Sequence, residues 1–452
     1  MPFRLYQSND LAALARRFRD TLRDNPLPPM EKEIVLVQSI GMGRWISLFM
    51  AEAFGAWANF KYIYPNVFLD TAFRAAFEGY DPGKLISKDE MRWLIHSALP
   101  SLTADKVYAP LGGYAGDENE LKRFQLAGKI ADLFDQYLTS RPEMIRAWDD
   151  KRDTLIAGDF SRDLADDEKW QSALWRKITA KRKTGHRAYL REQLALKGFP
   201  LFSADKLPER LSVFGVSTLF PFHLDILEAL SSHVEVTMYV LSPSREYIAD
   251  IMPAKLRART ARRLAAKGVT QADAHIDRGN VLVGSLGALA RDFQNTLLSR
   301  AIDDLTSDDD FRDPGDGTLL GAIQSDILNL RDRRNRIMID PEDESIRIAS
   351  CYGPRREVEA LHDYLMHLLN EHASGATGDD TLNPRDILVM TVDIDTYAPY
   401  IESVFGSKKT EDNGACFIPY SIADRNIRAQ SALSRGFEKI FSLSHKGFAA
   451  SA

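Results

Sequence analysis

The stretch Glu33 to Ser39 (EIVLVQS), followed by Gly41, Met42 and Gly43 and then by the amphipathic run Trp45 to Phe54, reads as strand, turn and helix. The same grammar recurs at Leu211 to Val216 (LSVFGV) ahead of Phe222 to Leu230. Val234 to Leu241 (VEVTMYVL) follows as a further buried strand. Short Val-, Ile- and Leu-rich strands alternating with helices predict a parallel α/β sheet, because such strands are covered on both faces and joined by helical crossovers. Between the two groups, the region from about Lys88 to Leu196 lacks a strong strand signal and shows helical spacing, as at Phe124, Ile130, Leu133, Tyr137 and Leu138. A helical insertion inside the first α/β domain is the simplest account.

After Asp340-Pro341 a fresh α/β pattern begins, with Ile346 to Cys351 as a strand, Arg355 to Leu369 as a helix and Asp386 to Thr391 as the next strand. Phe417 to Ile422 is the last strand-like piece, and a helix ending near His445 follows. The expected organisation is an α/β domain of residues 1–87 and 200–335, a helical insertion of residues 88–199, and the first part of a second α/β domain, residues 340–452, truncated before its sheet is complete. Asp303 to Gly317 (DDLTSDDDFRDPGDG) reads as an exposed acidic loop and Ser374 to Asn383 as a polar one.

Composition agrees with a soluble, multidomain chain: 452 residues exceed what one hydrophobic core holds, since cores divide beyond roughly 250–300 residues. No apolar run approaches the ~18 residues of a membrane span, and Met1 to Arg4 lack a signal layout, so a cytoplasmic location is expected. Cys351 and Cys416 are too few for a disulfide framework or a thiolate metal site. The net charge of -6 argues against indiscriminate coating of DNA. A groove lined by a few basic and polar groups remains compatible with it.

The turn Ser39 to Arg44 (SIGMGR) is where a phosphate-binding loop would sit, but it lacks the Lys and hydroxyl of the G-x-x-x-x-G-K-[ST] pattern. It reads as a tight glycine turn, with anion or DNA-phosphate binding at the helix amino terminus as the other reading. In Ala131 to Pro142 (ADLFDQYLTSRP), Leu133, Phe134, Tyr137 and Leu138 mark a buried face. Asp132, Asp135 and Gln136 then share another stripe at i, i+3 and i+4. Three readings are open for that stripe: a solvated face, a metal-binding carboxylate pair, or a base-reading strip in which Asp accepts from cytosine, Gln pairs with adenine and Arg141 meets guanine or phosphate. Lys181, Arg182, Lys183, His186 and Arg187 form one basic cluster, and Arg257, Arg259, Arg262 and Arg263 another. Either is a solvated surface or a DNA contact. His223, with no partner at metal-ligand spacing, reads as structural.

Several phrases then align, in order, with one family. Tyr6-Gln7-Ser8-Asn9, Leu36 to Met42, Asn59, Ala131 to Pro142, His186-Arg187-Ala188, Phe214 to Ser217, Gln324 to Leu328, Pro354 to Glu359 and Ile418-Pro419-Tyr420 closely resemble the RecC family, the exodeoxyribonuclease V gamma chain. The resemblance implies a superfamily 1 helicase-like plan, a P-loop-type parallel sheet with a degenerate nucleotide site. It implies a chain without catalytic, metal or cofactor sites of its own, which is a subunit of an ATP-dependent helicase and exonuclease. ATP and magnesium are used by the partner beta and alpha chains. Single-stranded and forked duplex DNA are the implied ligands, and recognition of the Chi recombination signal the implied role.

By the same resemblance, the DNA-reading residues are Asp132, Leu133, Asp135, Gln136, Arg141 and Arg187. Tyr64 and Asp70 occupy two further positions, where the family's best-known pattern has an aliphatic residue and Trp. Loss of an aromatic platform removes stacking worth ~1–3 kcal/mol per base, which implies a different or less strictly read octamer. Family members run to more than twice this length, so the chain is expected to be inert alone. The rival readings are an active helicase with an unorthodox nucleotide loop, a nuclease using Asp132 and Asp135, and an AddB-type subunit, whose iron–sulfur cluster needs more cysteines than this piece contains.

Overall fold

A computed structural model of the chain describes residues 3–102, 105–112, 120–158, 160–182, 185–197, 207–265, 279–333, 336–375, 382–406 and 417–425, with a few positions between 431 and 440. Lys183, Cys416 and the expected helix end near His445 lie outside them. The chain divides into two compact units, the first ending at Pro341 and the second beginning at Glu342.

In the first unit, β1 (Phe3–Ser8), β2 (Glu33–Leu36) and β3 (Phe60–Ile63) come first, then an antiparallel hairpin of β4 (Thr154–Ala157) and β5 (Phe160–Asp163), then β6 (Arg210–Phe214), β7 (Glu235–Leu241) and the short β8 (Asp303–Asp304). All but the hairpin form one parallel sheet in the order β3-β2-β6-β7-β1-β8. The parallel α/β expectation holds for this sheet. Alternation along the strands divides the core. Leu36, Leu211, Val213, Val236 and Met238 face one side, and Val35, Val37, Phe214 and Tyr239 the other.

Helices α1 (Leu11–Asp24) and α2 (Ile40–Phe54) cover the second face with Leu14, Phe18, Ile46 and Met50. The first face takes Phe68 and Phe73 from α3 (Pro65–Ala76). Between β3 and β6 stand α4 (Lys88–Ala98), α5 (Glu120–Ser140), α6 (Pro142–Asp149), α7 (Lys169–Thr179) and α8 (Arg187–Lys197). The first four of these helices build a separate core around Met91, Ile130, Phe134, Trp148 and Trp175. The β4–β5 hairpin inside this region gave no strand signal, because its strands are only four residues long and β5 is exposed throughout and ends in Arg162 and Asp163. After β6 come α9 (Pro221–Leu230), α10 (Ala254–Ala265), α11 (Val281–Leu286), α12 (Ala288–Leu298) and α13 (Leu319–Leu328).

The acidic run 303–317 departs from the loop expectation. It opens as β8 beside β1, and Asp310 is buried, accepting from Arg17 Nε at 2.7 Å and from the Ser307 backbone N–H at 2.8 Å. In the second unit, α14 (Pro354–Gly375) and α15 (Ile394–Phe405) pack around Val358, Leu365, Phe405 and Ile418. The three strands expected at 346–351, 386–391 and 417–422 do not form among the described residues. Ile348, Leu388 and Met390 are exposed instead. An extended apolar segment becomes a strand only when a neighbour takes up its backbone groups.

Two buried polar side chains, one on the sheet and one on a helix that covers it, bear on the stability of the first unit. Arg210, 1% exposed in central β6, donates from Nε to Glu33 at 3.2 Å, from Nη1 to the Asn25 carbonyl at 2.8 Å, and from Nη2 to the other Glu33 oxygen. His223 on α9 is buried between the rings of Phe68 and Phe220, with centroids 6.4 and 6.0 Å away. Burial pushes its imidazole down to about 4, and the guanidinium groups of Arg191 and Arg187 act the same way.

Glu33→Ala leaves the buried Arg210 guanidinium without its counter-charge and is expected to cost about 3–5 kcal/mol. A urea melt checks this as a lower midpoint with an unchanged slope. For His223, the folded value lies below the unfolded ~6.5, so the unfolded chain binds the extra proton in that interval. Its contribution is intact above about 6.5 and is lost as pH falls toward 4, an effect of up to roughly 3 kcal/mol. His223→Phe is expected to flatten this part of the stability–pH curve relative to the parent chain.

Candidate nucleic-acid interface

The carboxyl ends of β2 and β6 adjoin at the centre of the sheet, where open α/β sheets place their ligands. Here the glycines do not form the turn expected of them. Ser39 caps α2 directly, its Oγ accepting from the Met42 N–H at 3.1 Å, and Gly41 and Gly43 lie in the first helical turn. Gly43 is required by the close approach of β3: a Cβ there would stand 3.0 Å from Tyr62 Cδ2. Beside it, Gln38 Nε2 donates to the Thr218 carbonyl at 2.7 Å, while its Oε1 accepts from the Ser217 backbone N–H at 3.1 Å and hydroxyl at 3.0 Å. Met42 packs over Gly215, whose φ of 63° places it in the left-handed region. Strand, cap and helix are continuous, so no loop wide enough to wrap a phosphate separates β2 from α2.

The residues expected to read DNA fall at and beside the junction between the sheet and the helical insertion. Tyr64 precedes α3 and packs against the core beneath α1 and α2. Asp70, one turn into α3, accepts from the Tyr80 hydroxyl at 2.8 Å and lies 3.8 Å from Arg187 Nη2, at the start of α8. Burial, helped by the Asp70 carboxylate, pushes the Tyr80 phenol well above its ordinary value. A backbone hydrogen bond from Ile86 N–H to the Gly185 carbonyl at 2.8 Å ties the two segments together.

On α5, Phe134 and Leu138 are buried while Leu133 and Tyr137 are half-buried. Asp132 pairs with Lys88 at 3.0 Å. Asp135 and Gln136 have no side-chain partner among the described residues, and Gln136 is exposed. Arg141, between α5 and α6, holds its guanidinium 5.5 Å from the Tyr137 ring centroid. The structure therefore joins Asp70 to Arg187 and aligns Asp132, Asp135 and Gln136 on one helix, but no described hydrogen bond or ion pair links the two groups. No described cluster of three His, Cys, Asp or Glu side chains could hold a metal ion, and no described helix is long and apolar enough to cross a membrane.

Sequence reasoning placed His186 in a basic surface cluster; the structure buries it. Its Nδ1 accepts from the Tyr189 N–H at 3.2 Å, capping α8, and its Nε2 meets Asp149 Oδ2 at 3.1 Å. Those partners assign the proton to Nε2 in the neutral ring. Asp149 also accepts from Trp175 Nε1 at 2.9 Å and Arg146 Nη1 at 2.7 Å, and Arg146 continues to Glu192 at 2.8 Å. Burial pushes the Asp149 carboxyl up, but the hydrogen bonds from His186, Trp175 and Arg146 outweigh it and leave the group below its ordinary value. Tyr80, Lys88 and Asp149 were missed because each acquires its role only from a partner distant in sequence. His186 alone was legible, as the neighbour of Arg187.

A cleft of about 900 Å³ opens between α6, α8 and α9. Its charges are internally matched: Arg191 lies 3.2 Å from Glu143 and over the Phe222 ring, and Asp225 meets Arg300 at 2.7 Å. Removal of the α8 cap in His186→Ala is expected to destabilise the first unit by ~1–3 kcal/mol, the combined scale of a lost cap and a lost hydrogen bond to a buried carboxylate. His186→Asn, which supplies a capping oxygen, should recover part of it in thermal unfolding.

Residues 3–330 match the family described as RecC, N-terminal domain. The chain is 32% identical to the RecBCD enzyme subunit RecC of Escherichia coli (strain K12), an alignment covering 98% of this chain and 41% of that protein. It is 29% identical to the RecBCD enzyme subunit RecC of Haemophilus influenzae, over 99% of this chain and 43% of that protein. The corresponding subunit of Mycolicibacterium smegmatis is 31% identical over 85% of this chain and 33% of its own length. The chain thus spans about two fifths of the length of the first two relatives. With its match extending from β1 through the sheet and the helical insertion to α13, the chain belongs to the RecC family.

Proposed function

We propose that this chain is a non-catalytic, DNA-handling part of exodeoxyribonuclease V that contributes to reading a Chi-type signal in single-stranded DNA during bacterial recombinational repair. The observation that carries the reading is the end of β2: Gln38 is bonded to Ser217 and Thr218, Ser39 caps α2 through the Met42 N–H, and the segment Ser39 to Arg44 offers no lysine to hold a nucleotide's phosphates. A helicase-like sheet closed there has a scaffold's use for DNA and none for ATP. ATP and magnesium then belong to the beta and alpha chains, which are its partners together with single-stranded and forked duplex DNA. Three relatives are named as RecBCD enzyme subunits, which supports work inside a complex; that work is proposed to take place in the cytoplasm.

The chemistry of reading follows from groups left available. The Asp135 carboxylate accepts from a cytosine or adenine amino group, and Gln136 pairs in two-pronged fashion with adenine. Arg187 offers a planar fork to guanine or phosphate once it leaves Asp70, a loose pair at 3.8 Å with both side chains partly in solvent. Leu133, Asp132 and Arg141 flank the strip; Asp70 on α3 pairs with Arg187, and Tyr64 precedes that helix.

Fluorescence anisotropy against a library of short single-stranded DNAs tests this. Asp135→Ala and Arg187→Ala are each expected to weaken the preferred sequences by ~1–3 kcal/mol, about 5- to 150-fold, and to leave poor sequences almost unchanged. Equal losses on every sequence would reduce the strip to a plain electrostatic surface.

A further inference from the structure

We propose that α10 is a second nucleic-acid contact, a sequence-independent seat for the phosphodiester backbone; the inference rests on the reading that this chain handles DNA. The helix carries Lys255, Arg257, Arg259, Arg262 and Arg263 and no acidic residue. With a formal charge of -6 for the whole sequence, the remainder of the chain then carries -11. A positive stripe on a chain that is otherwise net acidic draws anions toward it.

The geometry fits a backbone. Lys255, Arg259 and Arg262 are exposed at i, i+4 and i+7, one face of the helix. At ~1.5 Å per residue they span about 10 Å, roughly three phosphates of one DNA strand at ~3.4 Å each. Elsewhere arginines are tied down: Arg17, Arg146, Arg162, Arg300, Arg331 and Arg333 each meet a carboxylate at 2.6 to 2.8 Å. Arg257, Arg259 and Arg262 meet no described carboxylate.

The character of this face also selects its partner. Stable protein interfaces centre on aromatic and apolar anchors and are depleted of charge at the core. The sequence AKLRARTARRLA contains no aromatic residue, and the apolar side chains described as exposed on it, Leu256 and Ala258, stand singly among the charges. Such a surface holds a polyanion through counter-ion release, with nothing in it to distinguish one base from another.

The test is a triple variant, Lys255→Gln with Arg259→Gln and Arg262→Gln, measured for binding to single-stranded oligonucleotides across a series of salt concentrations. Each phosphate left un-neutralised takes ~0.7 from the log–log salt dependence, so removing the three charges makes the slope shallower by about 2, with affinity falling alike for all sequences. Arg259→Lys with Arg262→Lys should keep the parental slope, which separates charge from folding. An unchanged slope in the triple variant, or no binding by the parent chain at low salt, overturns the proposal. So does displacement of the DNA by polyglutamate as readily as by polyphosphate at equal charge, which would make this an acidic-protein surface. Base discrimination that ignores Asp135→Ala while the slope still responds to the triple variant would instead remove the reading strip and leave this seat standing.

Discussion

Gln38 uses both ends of one amide to hold the carboxyl tip of β2 to the segment after β6, and the remaining chemistry of the sheet follows from that bridge. In an open parallel sheet this position is the natural opening for a ligand, because the strand ends diverge and helix amino termini point in. Here a side-chain amide bonds to the backbone after β6, Ser39 takes the Met42 N–H in the first turn of α2, and Gly43 lets α2 settle onto Tyr62. The result is a stiff floor. Variation in such a fold has to occur at its margins, where α3 meets α8 of the helical insertion and where polar side chains on α5 remain unmatched.

The margin is itself rigidly supported. Arg187 is mobile by nature, a long side chain with only a distant partner in Asp70, yet its backbone begins a helix capped by the ring of His186. That ring is fixed by Asp149, and Asp149 by Trp175 and Arg146, so a chain of buried hydrogen bonds ends one residue from an adaptable guanidinium. Low-dielectric surroundings strengthen each link and penalise any that is left unmatched. Recognition by a flexible tip on a fixed root needs little reordering of the backbone when a ligand arrives.

What the residues revealed before folding, and what they hid, divides along physical lines. β6 and β7 announce themselves because five or more consecutive positions are buried, which demands a run of apolar side chains. β1 and β3 did not, since each is only four to six residues long with neither a continuous apolar run nor a sustained alternation, and β3 lies at the sheet's edge. The segments at 346–351 and 386–391 erred in the other direction: their apolar residues satisfy a strand pattern, but pattern does not supply the neighbouring strand. The glycines after Ser39 were read as a turn because spacing cannot tell conformational freedom from close approach. The polar stripe on α5 was legible from helical periodicity, whereas the Asp70–Tyr80–Arg187 contact joins three segments and has no local signature.

The pairing of β1 has a consequence for how the molecule comes into being. Phe3 lies opposite Val236 and Ser8 opposite Leu241, so this strand, once synthesised, finds its main partner only after more than two hundred further residues. At typical synthesis speeds of ~5–20 residues per second, that is a wait on the order of ten seconds or longer. Over that interval Phe3, Leu5 and the α1 residues Leu14 and Phe18 have no finished sheet to bury them, while the helical insertion can complete its own core. The newborn chain therefore passes through a stage with one folded module and one sticky, unpaired strand and helix, the stage at which a cell's chaperones would have most to do.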